Sequence, residues 1–201
     1  MHSKKIILLL TALSVVALKC SSVMAKPGET TAEALPYVYY DGDTQRTIYL
    51  RPDLLAEFGD SKAVTKADPS ASPLKNQGMA VIYRVSDSGV KTKIRQGTFS
   101  RSINGAVVSE VFSSSPGGGA LSALPGNIII QFKDDQTRTQ INAFLQARSL
   151  PVVRTMQIGV SEFYVVKSTP GIASLETANQ LRLLPEVKSA QPDWWREVSR
   201  R

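Results

Sequence analysis

Asn127-Ile128-Ile129-Ile130-Gln131-Phe132 is a β-prone run that begins just after Pro125-Gly126 and stops at Lys133-Asp134-Asp135. It reads as a strand. Working downstream, Asp134-Asp135 opens a helix pattern, with its acids at the positive end of the helix dipole. Ile141, Phe144, Leu145 and the stem of Arg148 follow at helical spacing. Leu150 to Ile158 is a second strand, Gly159 a turn, and Glu162 to Val166 a third strand. Thr169-Pro170 reads as an N-cap and first helical residue. Ile172, Leu175, Ala178 and Leu181 form the apolar face of that helix, and Pro185 ends it. Val187 to Trp194 is a last short strand. Strand, helix, strand, strand, helix, strand is the split βαβ order. It predicts a ferredoxin-like antiparallel sheet with two helices on one face, over residues 121–195.

Upstream, Ser113-Ser114-Ser115-Pro116-Gly117-Gly118-Gly119 reads as a Gly/Ser-rich linker over 113–120. The three glycines lack the strand–loop–helix setting, and the lysine and hydroxyl after them, that a phosphate cradle needs. Residues 36–112 are expected to be mostly β. Tyr37 to Tyr40 and Thr47 to Leu50 flank Asp41-Gly42-Asp43, a hairpin signal. Asp41 and Asp43 are not followed by the further oxygen ligands of a calcium loop. Residues 51–58 suggest a short helical turn stopped by Gly59, and 60–78 a surface loop. Residues 79–85, 90–99 and 106–112 are strand candidates. The fold class expected is therefore α+β: a mostly β N-terminal region followed by the ferredoxin-like unit.

Residues 1–25 have the pattern of a secretory signal: Lys4 and Lys5, an apolar run from Ile6 to Leu18, and Val23-Met24-Ala25 for cleavage after Ala25. That run is short for a membrane span. Lys19 stands before Cys20 where a lipoprotein signal wants a small residue. A flexible leader, 26–35, follows. The location expected is periplasmic or secreted, with no membrane attachment after cleavage.

His2 and Cys20 are the only histidine and cysteine, and both fall in the signal. The mature chain of 176 residues thus has no means to build a Ser-His-Asp triad, a Cys-His pair, a histidine metal site or a disulfide. Asp134-Asp135 reads as a helix start and not as an acid–base pair. No catalytic, metal or cofactor residues are expected, and the protein reads as a binding protein and not an enzyme. The whole chain carries a charge of +7, of which Lys4, Lys5 and Lys19 leave with the signal. The remainder is spread thinly, without the basic run and interleaved aromatics of a nucleic-acid binder.

Leu124 to Lys133 resembles the opening strand of subtilisin-type serine protease propeptides, and Val187 to Asp193 resembles the end of that module, with Gln191 where the family often has Glu. Val108 to Phe112, the Gly-rich stretch, and the tyrosine-rich hairpin at 37–50 resemble an N-terminal extension of some bacterial subtilases. The resemblance implies an inhibitor or folding chaperone of a subtilisin-like protease. Its sheet would pack on the enzyme and its C-terminal tail would lie in the substrate cleft by strand addition. The protease-binding residues it implies are Gln191, Pro192, Asp193, Trp194, Trp195, Val198, Ser199, Arg200 and Arg201, with one tryptophan as anchor. No protease domain follows residue 201, so the chain is expected to act in trans, as a monomer when free, or to be a remnant of a subtilase precursor. A non-inhibitory protein-binding module is the alternative. The tail from 194 is expected to add little to the core.

Overall fold

The computed structural model describes residues 35–99, 102–103 and 106–198. The signal, most of the leader, and Ser199, Arg200 and Arg201 lie outside the described residues. In chain order the elements are β1 (Leu35–Asp41), β2 (Thr44–Phe58), α1 (Ala63–Ala67), β3 (Ser72–Gln77), β4 (Ala80–Arg84), α2 (Ser88–Arg95), β5 (Ser102–Ile103), β6 (Ala106–Ser115) and β7 (Gly118–Ala123). Then come β8 (Asn127–Phe132), α3 (Arg138–Ala147), β9 (Val152–Ile158), β10 (Ser161–Lys167), α4 (Ile172–Leu181), β11 (Val187–Pro192) and β12 (Trp195–Arg196).

β2 is the spine of an eight-stranded antiparallel sheet in the order β12-β7-β6-β2-β4-β3. One edge of β2 pairs with β6. The other is shared, by β1 along Thr44–Leu50 and by β4 along Leu54–Phe58. Between these halves Arg51 faces Val111 and Leu55 faces Val111's neighbour Glu110. Pro52, Asp53 and Leu54 therefore have no partner in β6, a bulge on that side where a proline costs no ladder bond, while Leu54 still faces Arg84 of β4. Consecutive burial of Leu54, Leu55 and Ala56 follows from this kink in a covered strand. The short helix expected over 51–58 is thus a strand. The β1–β2 connection is two residues, Gly42-Asp43, with Gly42 at φ 59°, as tight hairpins require.

Two other expectations change. Residues 90–99, read as a strand, hold α2: Asp87 accepts from the Val90 amide at 2.8 Å, and Val90 and Ile94 bury one helical face. The loop expected over 60–78 holds α1 and β3. Buried Glu57 accepts from the Ala63 and Val64 amides, so strand β2 caps α1.

The C-terminal segment forms a four-stranded antiparallel sheet in the order β11-β8-β10-β9. Ile128, Ile130 and Phe132 of β8 and Tyr164 and Val166 of β10 pack with Ile141, Phe144 and Leu145 of α3. Thr137 and Gln140 make the capping box that starts α3, three residues past the expected Asp134-Asp135.

The expected fold class is corrected here. The chain is mostly β, dominated by the eight-stranded sheet, and residues 121–195 are not a separate ferredoxin-like unit. Three contacts are the reason. Residues 113–120 are not a linker: Ser113 pairs with Leu121 and Ser115 with Gly118, closing a β6–β7 hairpin around Pro116-Gly117. Helix α4 belongs to both cores: Ile172 and Leu175 sit with Leu55, Val108 and Phe112, and Ala178 and Leu181 sit with Ile130 and Phe132. Its N-cap is Gly171, not Thr169, and the Ile172 amide donates to Glu110 Oε2 of β6 at 3.2 Å. Finally, β12 returns to pair with β7. At the junction the Ser168 amide donates to Gly126 O (2.7 Å) and the Gly171 amide to Leu124 O (2.9 Å).

Candidate protein-binding face and groove

Alternation along a strand sends successive side chains to opposite faces. Both α3 and α4 pack on the face of the smaller sheet that carries Ile128, Ile130, Tyr164 and Ala190. The other face is set by register. Ile129 stands beside Val165 and Gln191, Gln131 beside Ser189, and Phe163 beside Met156. Ile129, Met156, Phe163 and Gln191 are part-exposed there. A strand with one wet face would place polar residues at these positions. Three of the four are large and apolar, whereas Gln131, Ser189 and Arg154 on the same face are polar, and Val165 beside Ile129 is buried.

At one end this face runs into a groove of about 550 Å³. Val153, Arg154 and Val165 line it from the sheet, Met79 from the β3–β4 turn, and Trp195 and Val198 from the tail. Met79 is 68% exposed and Val198 70%. A smaller hollow of about 370 Å³ lies between α3 and α4, lined by Arg148, Leu150 and Leu184 among others.

The residues implied by the propeptide resemblance are distributed as follows. Gln191 is on the open face, and Pro192 is buried opposite Ile128 on the other side. Asp193 donates its amide to Asn127 O at 3.0 Å, and its Oδ2 lies 4.0 Å from Arg154 and 3.5 Å from Asn127 Nδ2. Trp194 turns into the larger core. Its ring meets Tyr39 at 5.0 Å and Phe112 at 5.7 Å, both edge-on, and its indole N–H is buried without a hydrogen-bond partner. Trp195 pairs with Ala123 and packs on the patch formed by Leu54, Ile82 and Leu121. Both tryptophans therefore serve the fold, where one was expected as a free anchor.

The tail stays docked beyond them. The Glu197 amide donates to Leu121 O at 2.9 Å, and Glu197 Oε2 accepts from the Leu121 amide at 3.0 Å. Lys75 makes an ion pair with the same carboxylate. Hydrogen bonding from Lys75 and then from the Leu121 amide holds the Glu197 carboxyl below the usual glutamate range. Gln77 and the Val198 backbone exchange two hydrogen bonds, of 2.8 and 3.2 Å. The expectation that residues 194–198 add little to the core is thus corrected: they finish the larger sheet. The open face itself was missed in the sequence. Its signal is the unbroken Ile128-Ile129-Ile130 and the Phe163-Tyr164 pair, where adjacent apolar residues force one onto each face.

Among the described residues, no group of three His, Cys, Asp or Glu side chains is placed to hold a metal ion, and no helix is long and apolar enough to cross a membrane. Set against known proteins, the chain matches no family model, no curated protein and no solved structure.

Proposed function

We propose that the protein is an exported inhibitor or folding assistant of a subtilisin-like serine protease, acting in trans and engaging the enzyme with the open face of its four-stranded sheet. One observation carries this reading. The two strands that resemble protease propeptides, β8 and β11, lie side by side in a sheet whose helices cover one face only. The other face presents Ile129, Met156 and Phe163, part-exposed. Apolar residues concentrated at the centre of a polar-rimmed surface are what a protein partner desolvates.

The tail has a smaller part than the resemblance implies. Residues 194–198 are pinned to the larger sheet, so a product-like tail in the cleft requires their release or consists of the residues after Val198. Sheet contact therefore supplies the binding energy in this proposal. Residues 1–25 act as the export signal.

The test is a titration of residues 26–201 against a subtilisin, following hydrolysis of a chromogenic peptide, beside refolding of denatured subtilisin with and without the protein. Inhibition or faster refolding is expected, and Phe163→Glu is expected to weaken either by at least about tenfold. Neither effect at about 10 μM protein, where a complex of ordinary affinity is saturated, overturns the proposal.

A further inference from the structure

Among the described residues, each end strand of the smaller sheet pairs on one side only. β11, at one side, is approached by β1. β9, at the other, pairs only with β10 among the described residues. Natural edge strands are commonly blunted by lysine, proline or short length. β9 is seven residues long, has no proline, and carries a single charge, Arg154. Every residue of it except Met156 is exposed, including Val152 (46%), Val153 (55%) and Ile158 (63%).

This edge is joined to the groove by a bulge. Arg154 faces Val165 and Val152 faces Val166, so Val153 is the extra residue. A bulge re-aims side chains at a sheet edge. Here Val153 and Arg154, neighbours in sequence, both line the groove. Its other walls are mixed, apolar from Met79, Val165, Trp195 and Val198 and polar from Gln77 and Asn127. Its charged members are Arg154 and Arg196 against one carboxylate, Asp193. Arg154 remains 59% exposed while 4.0 Å from Asp193.

We propose that the edge of β9 and the adjoining groove form a docking site for an extended peptide segment of a partner protein, added as a fifth strand, with apolar side chains flanking one acidic side chain that meets Arg154. Strand addition supplies affinity through main-chain hydrogen bonds, and the groove supplies selectivity. The surplus of guanidinium groups favours a carboxylate and repels a lysine. At about 3.4 Å per residue the edge spans a segment of roughly seven residues. The inference rests on the protease-binding reading only for the identity of the partner.

The experiment uses residues 26–201, which include all the described residues. The probe is an acetylated, amidated heptapeptide of alternating valine and threonine with a central glutamate, followed through backbone amide chemical shifts. Saturable shifts confined to β9 and the groove are expected. A central lysine should weaken binding about fivefold, and N-methylation of alternate peptide nitrogens, which removes the donors that pair with β9, about tenfold or more. Arg154→Glu should reverse the preference between glutamate and lysine. No saturable shift up to about 2 mM peptide, shifts elsewhere, or equal binding of the three peptides overturns the proposal. Phe163→Glu separates the two readings. It should weaken the action on subtilisin by at least about tenfold and leave heptapeptide binding unchanged. Heptapeptide binding without any effect on subtilisin leaves the docking site standing and removes the protease. An effect on subtilisin without heptapeptide binding does the reverse.

Discussion

Replacing Trp194 by alanine should destabilise the whole protein, because this residue closes the larger core and does not wait for a partner. A fully buried tryptophan lost to alanine costs about 3–5 kcal/mol. Trp194 is part-exposed, which favours the lower end, but it also makes two edge-on ring contacts, with Tyr39 and Phe112. Such pairs add about 0.5–1.5 kcal/mol each beyond area burial. Against them stands the buried indole N–H with no acceptor, whose desolvation costs about 1–3 kcal/mol and is relieved by the substitution. The balance is a loss of about 2–4 kcal/mol. For a domain of this size each kcal/mol moves the midpoint by about 2–4 °C, so a fall of roughly 5–15 °C is expected in a thermal unfolding scan of residues 26–201. Trp194→Phe sharpens the test. It keeps ring packing and removes the unpaired donor, and should lie within about 1 kcal/mol of the parent. A midpoint unchanged by Trp194→Ala would mean that the tail is not part of the core, and the reasoning would fail.

Gly126→Ala should cost at least about 2–4 kcal/mol, since an added Cβ would stand 2.7 Å from Ser168 O and 2.8 Å from Pro170 N at φ 95°; near-native stability in urea unfolding would show that this junction is looser than described. Cleavage between residues 113 and 120 should leave a nicked protein that elutes as one species, because β12 and α4 tie the two sheets together; separation into two folded halves on gel filtration would restore the linker. Stability should also fall in acid. Burial pushes Asp68 up, but the Ser70 hydroxyl and the Asp87, Ser86 and Ser70 amides outweigh it and hold the carboxyl at about 2, below its ordinary 3.8. Burial likewise raises Glu57, and the Ser61 hydroxyl with the Val64 and Ala63 amides reverses it; Glu197 is lowered too. Groups depressed in the folded state stabilise it above their unfolded values and lose that contribution as pH falls through the folded ones. The decline therefore begins below about pH 4.5 and runs, for Asp68, to about pH 2. Asp68→Asn should lower stability at neutral pH and flatten that slope; an unaltered slope by denaturant titration would count against it.

The strands at 127–132 and 161–167 were legible because β-prone runs between turn residues leave little choice. The hairpin at 37–50 was legible from Asp41-Gly42. What misled was burial on both faces. Leu54-Leu55-Ala56 has no period of two, so it read as a turn of helix, and only a kinked strand pinned between β6 and β4 explains it. Asp87-Ser88-Gly89 has the composition of a turn, and it works as a helix cap because Val90 and Ile94 can both reach the core. Ser113 to Gly119 has the composition of a linker, yet its small residues let β6 and β7 turn tightly. Long-range facts left no local trace: the Glu110 cap on α4 is 62 residues from its partner. For the site, the tail's attachment to β3 and β7 depends on Lys75, Gln77 and Leu121, and nothing in the tail's own sequence announces them.

The return of β12 to β7 has a bearing on how the protein is made. A ribosome delivers the amino end first. β1 to β7 are therefore available long before Trp194, Trp195 and Glu197 emerge, and the larger sheet must wait with a bare edge at β7 and an unfilled gap beside Tyr39 and Phe112. The intervening strands and helices can gather meanwhile, but α4 needs the half-built core to receive Ile172 and Leu175. The larger sheet is therefore complete only once residues 194–198 have emerged, and until then the nascent chain carries an unpaired edge at β7.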